Sequence, residues 1–192
     1  LSVSRGAAYS LPIFVKEARG AQITDVDGNT FIDFTAGISA CNSGHCNEYI
    51  GEAAKRQIGK FVHTSYTDIP YEPYVALCKK LNEITPGRFS KKSALFNTGA
   101  EAVENAMKIC YDKNPKTKHI IAFKGAFHGR TIGVLSVNAS KKVQKKSFPV
   151  VPQVHHVHYC SCEDNTACKC GWMVEDPRSR ERMSELEQML GK

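Results

Sequence analysis

S-A-L-F-N-T-G-A-E-A-V-E-N-A-M, residues 93–107, reads as strand, turn and helix in one stretch. Ser93 to Phe96 is a short apolar run that breaks at Asn97-Thr98-Gly99. Val103, Ala106, Met107 and Cys110 then recur at i, i+3, i+4 and i+7, one face of a helix that begins near Gly99. Thr98 and Glu101 fit the S/T-x-x-E capping box, and Gly99 lets the backbone come close to a bound group. Free N–H groups and the positive end of the helix dipole make such a turn an anion site. The same residues also serve an ordinary structural junction, and at this level both readings stand.

A second stretch follows a predicted strand at His119 to Phe123: Lys124-Gly125-Ala126-Phe127-His128-Gly129-Arg130-Thr131. In a parallel α/β sheet two such strand exits share one edge, where ligands collect. Phe127 suits the face of a flat ring, and Arg130 suits a carboxylate gripped through two parallel hydrogen bonds. The alternative is a loop with a core Phe and a surface Arg.

F-N-T-G-A-E-A-V-E-N-A-M-K and G-A-F-H-G-R-T are preceded, in order, by S-R-G, L-P-I-F-V, D-V-D-G-N, F-I-D-F-T-A-G-I, G-H, V-H-T-S-Y and P-Y-E-P-Y. Together they resemble the class III pyridoxal-phosphate aminotransferases of fold type I, and among them the 4-aminobutyrate aminotransferase group, over roughly residues 4–150. The resemblance implies that Thr98 and the Gly99 and Ala100 amides hold the phosphate of pyridoxal 5'-phosphate, that Phe127 stacks on its ring and that His128 lies beside it. It further implies that Ile38, in A-G-I, touches substrate, although an isoleucine there also reads as ordinary core. Arg130 would bind the carboxylate of 4-aminobutyrate or a similar ω-amino acid, and that of an α-keto acid acceptor such as 2-oxoglutarate. Acetylornithine or ornithine aminotransferases and amino acid racemases of the same fold share these motifs. A truncated, non-catalytic homologue is the remaining alternative. A homodimer is also implied, because the family builds each active site at a subunit boundary.

The expected fold class is α/β, a partial fold type I transferase: an N-terminal arm and small β element over 1–50, then an incomplete large cofactor-binding domain over 51–192 with a mostly parallel sheet and flanking helices. The family's ring-nitrogen Asp and Schiff-base lysine lie far beyond its G-R-T motif. None of Lys141, Lys142, Lys145, Lys146, Lys169 or Lys192 sits in a matching context. The chain is therefore read as a poorly soluble fragment, inactive alone, with no catalytic residue of its own.

Its 192 residues, 42% hydrophobic and 23% charged, suit an ordinary globular domain. A net charge of +7 without interleaved aromatics argues against nucleic acid, with lysine clusters such as Lys141, Lys142, Lys145 and Lys146 read as a solvated face. The absence of a long apolar run or a signal pattern argues against a membrane and against secretion, leaving cytoplasm or mitochondrial matrix as the expected compartment. Four of the eight cysteines, Cys160, Cys162, Cys168 and Cys170, fall in a loop over 155–172 with His155, His156 and His158. Thiolate and imidazole in one stretch suit zinc, but the C-x-C spacing is wrong for an ordinary finger, so no metal is expected there. His45 and His63 lack ligand spacing as well.

Elsewhere the pattern predicts a strand at Ile13 to Val15 and a hairpin of Gln22 to Val26 with Thr30 to Phe34 about Asp27-Gly28-Asn29. Helices follow over Asn47 to Phe61 and after Pro73, each with an apolar stripe read as core. A short helix or turn near Ile132 to Asn138, an extended Val150 to Tyr159 and a last helix over Ser179 to Leu190 complete the reading.

Overall fold

The computed structural model describes residues 11–116, 119–142, 145–149 and 153–157. It falls into two compact units, 1–84 and 85–192. The predicted helix over Ser179 to Leu190, His158 and the four cysteines from Cys160 to Cys170 lie outside the described residues.

The first unit carries a three-stranded antiparallel sheet, β1 (Val15–Arg19), β2 (Gln22–Asp25) and β3 (Thr30–Ile32), in that order. The expected hairpin is present, with Ile23 opposite Phe31. Its turn is organised by Asp25, whose carboxylate accepts from the Asp27 and Asn29 amides at 3.0 and 2.8 Å and from Asn29 Nδ2 at 3.0 Å. Gly28, at φ +87, takes the left-handed position that favours glycine. The first strand departs from expectation: it runs from Val15 onward and not over Ile13 to Val15. Three of its residues, Lys16, Glu17 and Arg19, are charged and exposed, so only pairing across the tight turn at Gly20 marks them as a strand.

Helices α1 (Glu48–Ile58) and α2 (Glu72–Ile84) lie where helices are expected, α1 ending before Phe61 and α2 starting one residue before Pro73, which its first turn accommodates. Asn47 caps α1, its side chain accepting from Ile50 N at 3.2 Å. The stripe of α1, read as core, is instead uncovered: Ile50 and Ile58 are 51% and 66% exposed. Periodicity fixes which side of a helix is apolar, not what covers it.

Asp33, just after β3, accepts from the Thr35 and Ala36 amides, from the Thr35 hydroxyl and from His45 Nε2 at 2.8 Å. The His45 bond is the largest cause, followed by Thr35, of a carboxyl held well below the usual range. The folded value lies below the unfolded one, so this stabilisation is complete above the unfolded pKa and is lost as pH falls from about 4. In urea midpoints measured between pH 3 and 7, Asp33→Asn should lower stability at neutral pH and flatten the acid limb. An acid limb identical to wild type would exclude this role.

The second unit holds α3 (Gly99–Lys113), β4 (Ile120–Phe123), α4 (Ile132–Leu135) and β5 (Val154–Val157). Strands β4 and β5 pair in parallel, with Ile120 opposite Val154 and Phe123 opposite Val157, as the alternating pattern requires. The core gathers Ala122, Val134 and Val137, against which Ala100, Val103, Met107, Ile120 and Val154 pack. Ser93 to Phe96 belongs to neither sheet of the described residues, since an apolar run becomes a strand only through a ladder made elsewhere in the chain. The inward face of α3 is Ala100, Val103 and Met107, whereas Ala106 and Cys110 are exposed. The inward face is set by packing on Ala122, Val134 and Val137, with Gly129 of the 124–131 loop against Ala100 in the first turn.

Candidate functional site: a helix start met by a glycine loop

Thr98, extended at φ −139 and ψ 157, caps α3 by accepting from Glu101 N at 3.1 Å. Glu101 reaches back in turn, its Oε2 accepting from Asn97 N at 2.7 Å, one residue before the cap. The capping box is thus formed, with its carboxylate a residue further out than the usual partner. Among the described residues the Gly99 and Ala100 amides meet no acceptor, and a Cβ at Gly99 would stand in open space. The Thr98 hydroxyl keeps its proton to donate. The first turn therefore offers two N–H groups and one O–H at the positive end of a fifteen-residue helix.

The Lys124–Thr131 loop leaves the carboxyl end of β4 and crosses this turn. Gly129, at φ +130, sits so close that a Cβ there would lie 2.6 Å from Ala100 Cβ, 3.2 Å from Ala100 Cα and 3.1 Å from Val134 Cγ2. The two stretches read separately from the sequence therefore meet at Ala100 and Gly129. Phe127, 53% exposed, and the exposed Arg130 flank the half-buried His128-Gly129 pair. Thr131 donates its hydroxyl to the Glu104 carboxylate of α3, which fixes the start of α4 beside the junction. Phe127 is thus not the buried core residue of the plainer reading.

The structure brings Thr98, Gly99 and Ala100 together with the loop of Phe127, His128 and Arg130. Ile38 lies in the first unit, where Ala36, Gly37, Ile38 and Ser39 all have positive φ, from +45 to +66. A branched residue is costly there, and the turn is closed by Ser39 N to Thr35 O at 3.0 Å and Cys41 N to Ala36 O at 2.8 Å. Ile38 is 96% exposed, which corrects the reading of a buried core isoleucine.

Four histidine rings, those of His45, His63, His119 and His155, have partners in the fold. His45 is bonded to Asp33, and His63 Nε2 accepts from Ser65 N at 3.2 Å. His155 Nε2 lies 2.8 Å from His119 Nδ1, at the amino-terminal ends of β4 and β5. His156, the next residue along β5, has its ring toward the carbonyls of Val137 and Asn138, and its Nε2 is buried without a hydrogen-bond partner. Burial first, and then the Lys145 charge, holds His156 below the usual imidazole range. Successive strand residues face opposite sides, so His155 and His156 do not form one ligand pair. Among the described residues no group of three or more His, Cys, Asp or Glu side chains could hold a metal.

Two contributors escape the sequence reading, Glu104 and Asn138. The only signal for Asn138 is an amide residue closing the apolar run Val134-Leu135-Ser136-Val137.

The sequence model of the aminotransferase class-III family matches residues 3–188. The 4-aminobutyrate aminotransferase of Mycobacterium leprae is 41% identical over 157 residues, covering 80% of this chain and 34% of its own length. The 5-aminovalerate aminotransferase of Pseudomonas putida is 43% identical over 136 residues, covering 71% and 32% respectively. The crystal structure of ornithine aminotransferase from Toxoplasma gondii superposes with a TM-score of 0.72 at 27% identity, covering 82% of this chain and 38% of that one. The chain thus spans about a third of the length of the curated relatives it matches. A small antiparallel sheet, a parallel pair and flanking helices are part of the α/β fold of these transaminases. The chain belongs to the class-III aminotransferase family.

Proposed function

We propose that the protein carrying this chain is a pyridoxal-phosphate-dependent aminotransferase that moves an amino group from 4-aminobutyrate or a similar ω-amino acid to an α-keto acid such as 2-oxoglutarate. The observation that carries the reading is the contact of Gly129 with Ala100, which sets an open helix start beside a loop bearing an aromatic ring and a guanidinium. The donor set fits the cofactor: two amides and a hydroxyl for a phosphate, and an exposed Phe127 for a ring face. Names of relatives acting on 4-aminobutyrate and 5-aminovalerate support the ω-amino donor.

In this reading Thr98, Gly99 and Ala100 hold the phosphate, while Phe127 and His128 wall the ring. Arg130 orients the substrate carboxylate, its planar fork matching two oxygens at once. Ile38 contributes an apolar contact to the substrate chain. When bound, the cofactor supplies the electron sink that makes a proton on the amino-bearing carbon removable. No lysine of the 192 residues is assigned the covalent role; Lys145 already donates to Asn138 O at 2.6 Å. The 192 residues alone are accordingly proposed not to transaminate. The homodimer and the division into a small-domain part, 1–50, and part of the large domain, 51–192, belong to the same reading. No helix among the described residues is long and apolar enough to cross a membrane.

The test is an assay of the intact protein with pyridoxal phosphate, 2-oxoglutarate and a panel of 4-aminobutyrate, 5-aminovalerate and ornithine, scored by glutamate formed. Turnover should be highest with the first two. Preference for ornithine would move the substrate assignment, and no glutamate from any donor would overturn the reaction.

A further inference from the structure

The loop that bears Phe127 and Arg130 is pinned from below by a side chain assigned no role so far. Asn138 is 1% exposed, just after α4, and its two amide atoms are both engaged. Its Oδ1 accepts from His128 N at 2.6 Å, and its Nδ2 donates to Gly129 O at 2.6 Å. The orientation is unambiguous, because an amide N–H requires the oxygen and a carbonyl requires the nitrogen. Asn138 is itself held: its N donates to Val134 O at 3.2 Å, and its O accepts from Lys145 Nζ at 2.6 Å.

We infer that Asn138 is a positioning residue for the candidate site, fixing the Phe127–His128 and Gly129–Arg130 peptides so that Phe127 and Arg130 are presented at a set place over the start of α3. The inference rests on the function proposed above. The Phe127–His128 peptide is held through its N–H and the Gly129–Arg130 peptide through its C=O, so the two peptides that flank the His128-Gly129 pair are tied to one side chain, and Gly129 is pressed against Ala100 on its far side. Phe127 and Arg130 are the residues immediately flanking that pair. An apolar residue at 138 would fill the same space and leave a buried donor and acceptor unmatched. Aspartate is the sharper probe. When ionised it keeps an acceptor for His128 N and sets a second acceptor against Gly129 O. When protonated it is nearly isosteric with asparagine and regains the donor. Burial against the Gly129 carbonyl raises its pKa and the Lys145 ammonium on the residue-138 carbonyl opposes that rise; the His156 ring faces the same carbonyl in every variant, so recovery on acidification is read relative to wild type.

The experiment measures amide hydrogen exchange at His128 and pyridoxal phosphate affinity in intact wild type, Asn138→Asp and Asn138→Ser, at pH 8 and pH 5. In Asn138→Asp at pH 8, repulsion between the carboxylate and Gly129 O should push the loop off residue 138, so that exchange at His128 accelerates and affinity falls, each on the order of tenfold or more, and both should recover relative to wild type at pH 5. Asn138→Ser, smaller but able to donate and accept, should be intermediate without the pH recovery, and it carries the test if the aspartate variant does not fold. Faster exchange with unchanged affinity would overturn the positioning role. An unprotected His128 amide in wild type would overturn the clamp itself. If wild type does not bind pyridoxal phosphate, the function fails, and exchange at His128 still decides whether the clamp exists.

Discussion

Gly129→Ala should lower the stability of the second unit by about 3 kcal/mol and remove cofactor binding. The new Cβ would meet Ala100 Cβ at 2.6 Å, well inside contact distance, and Ala100 belongs to the first turn of α3. Overpacking of this kind costs roughly 1–3 kcal/mol, and a side chain at φ +130 adds strain of about the same size. Gly125→Ala is the matched control. Gly125 also has positive φ, +86, yet a Cβ there meets nothing within 4 Å, so only the backbone term of about 1 kcal/mol remains. Urea unfolding followed by tryptophan-independent circular dichroism compares the two. Equal losses would show that the Ala100 contact contributes nothing.

Arg130→Ala should reduce kcat/KM for 4-aminobutyrate by roughly two orders of magnitude, the loss of a charge-assisted bidentate pair worth about 3 kcal/mol. Arg130→Lys keeps the charge but not the fork and should recover only part of it. Arg130 is exposed and carries no core contact, so thermal unfolding of either variant should match wild type. The discriminating comparison is between donors. Replacing 4-aminobutyrate by an amine without a carboxylate should erase the difference between wild type and Arg130→Ala, whereas a deficit that persists with such an amine would mean that Arg130 does not read the carboxylate.

How much of this was visible in the sequence depends on the range of the interaction. The cap of Thr98 on Glu101, the hairpin about Gly28 and the helices after Asn47 and before Pro86 follow from residues within a few positions of one another, and they appear where local chemistry places them. The parallel pairing of β4 and β5 follows from strand and helix alternation, which leaves few other topologies. What the sequence does not reveal is longer in range. β1 is polar, so no alternation announces it, and Ser93 to Phe96 is apolar but belongs to neither described sheet. The inward face of α3 depends on Ala122, Val134 and Val137, brought to it from later in the chain, and the exposure of Ile38 goes with four consecutive left-handed residues that composition does not demand. Asn138 is the clearest case. A lone amide after an apolar run reads as the end of an element, and only the fold shows it turned inward onto a loop nine and ten residues before it.

The central claim is that the start of α3 and the 124–131 loop form one cofactor cradle. The most direct measurement is a crystal structure of the intact protein grown with pyridoxal phosphate. The predicted result is a phosphate within hydrogen-bond distance of the Gly99 and Ala100 amides and the Thr98 hydroxyl, with the pyridine ring against Phe127. A phosphate bound away from the first turn of α3, with Phe127 facing solvent, would contradict the account.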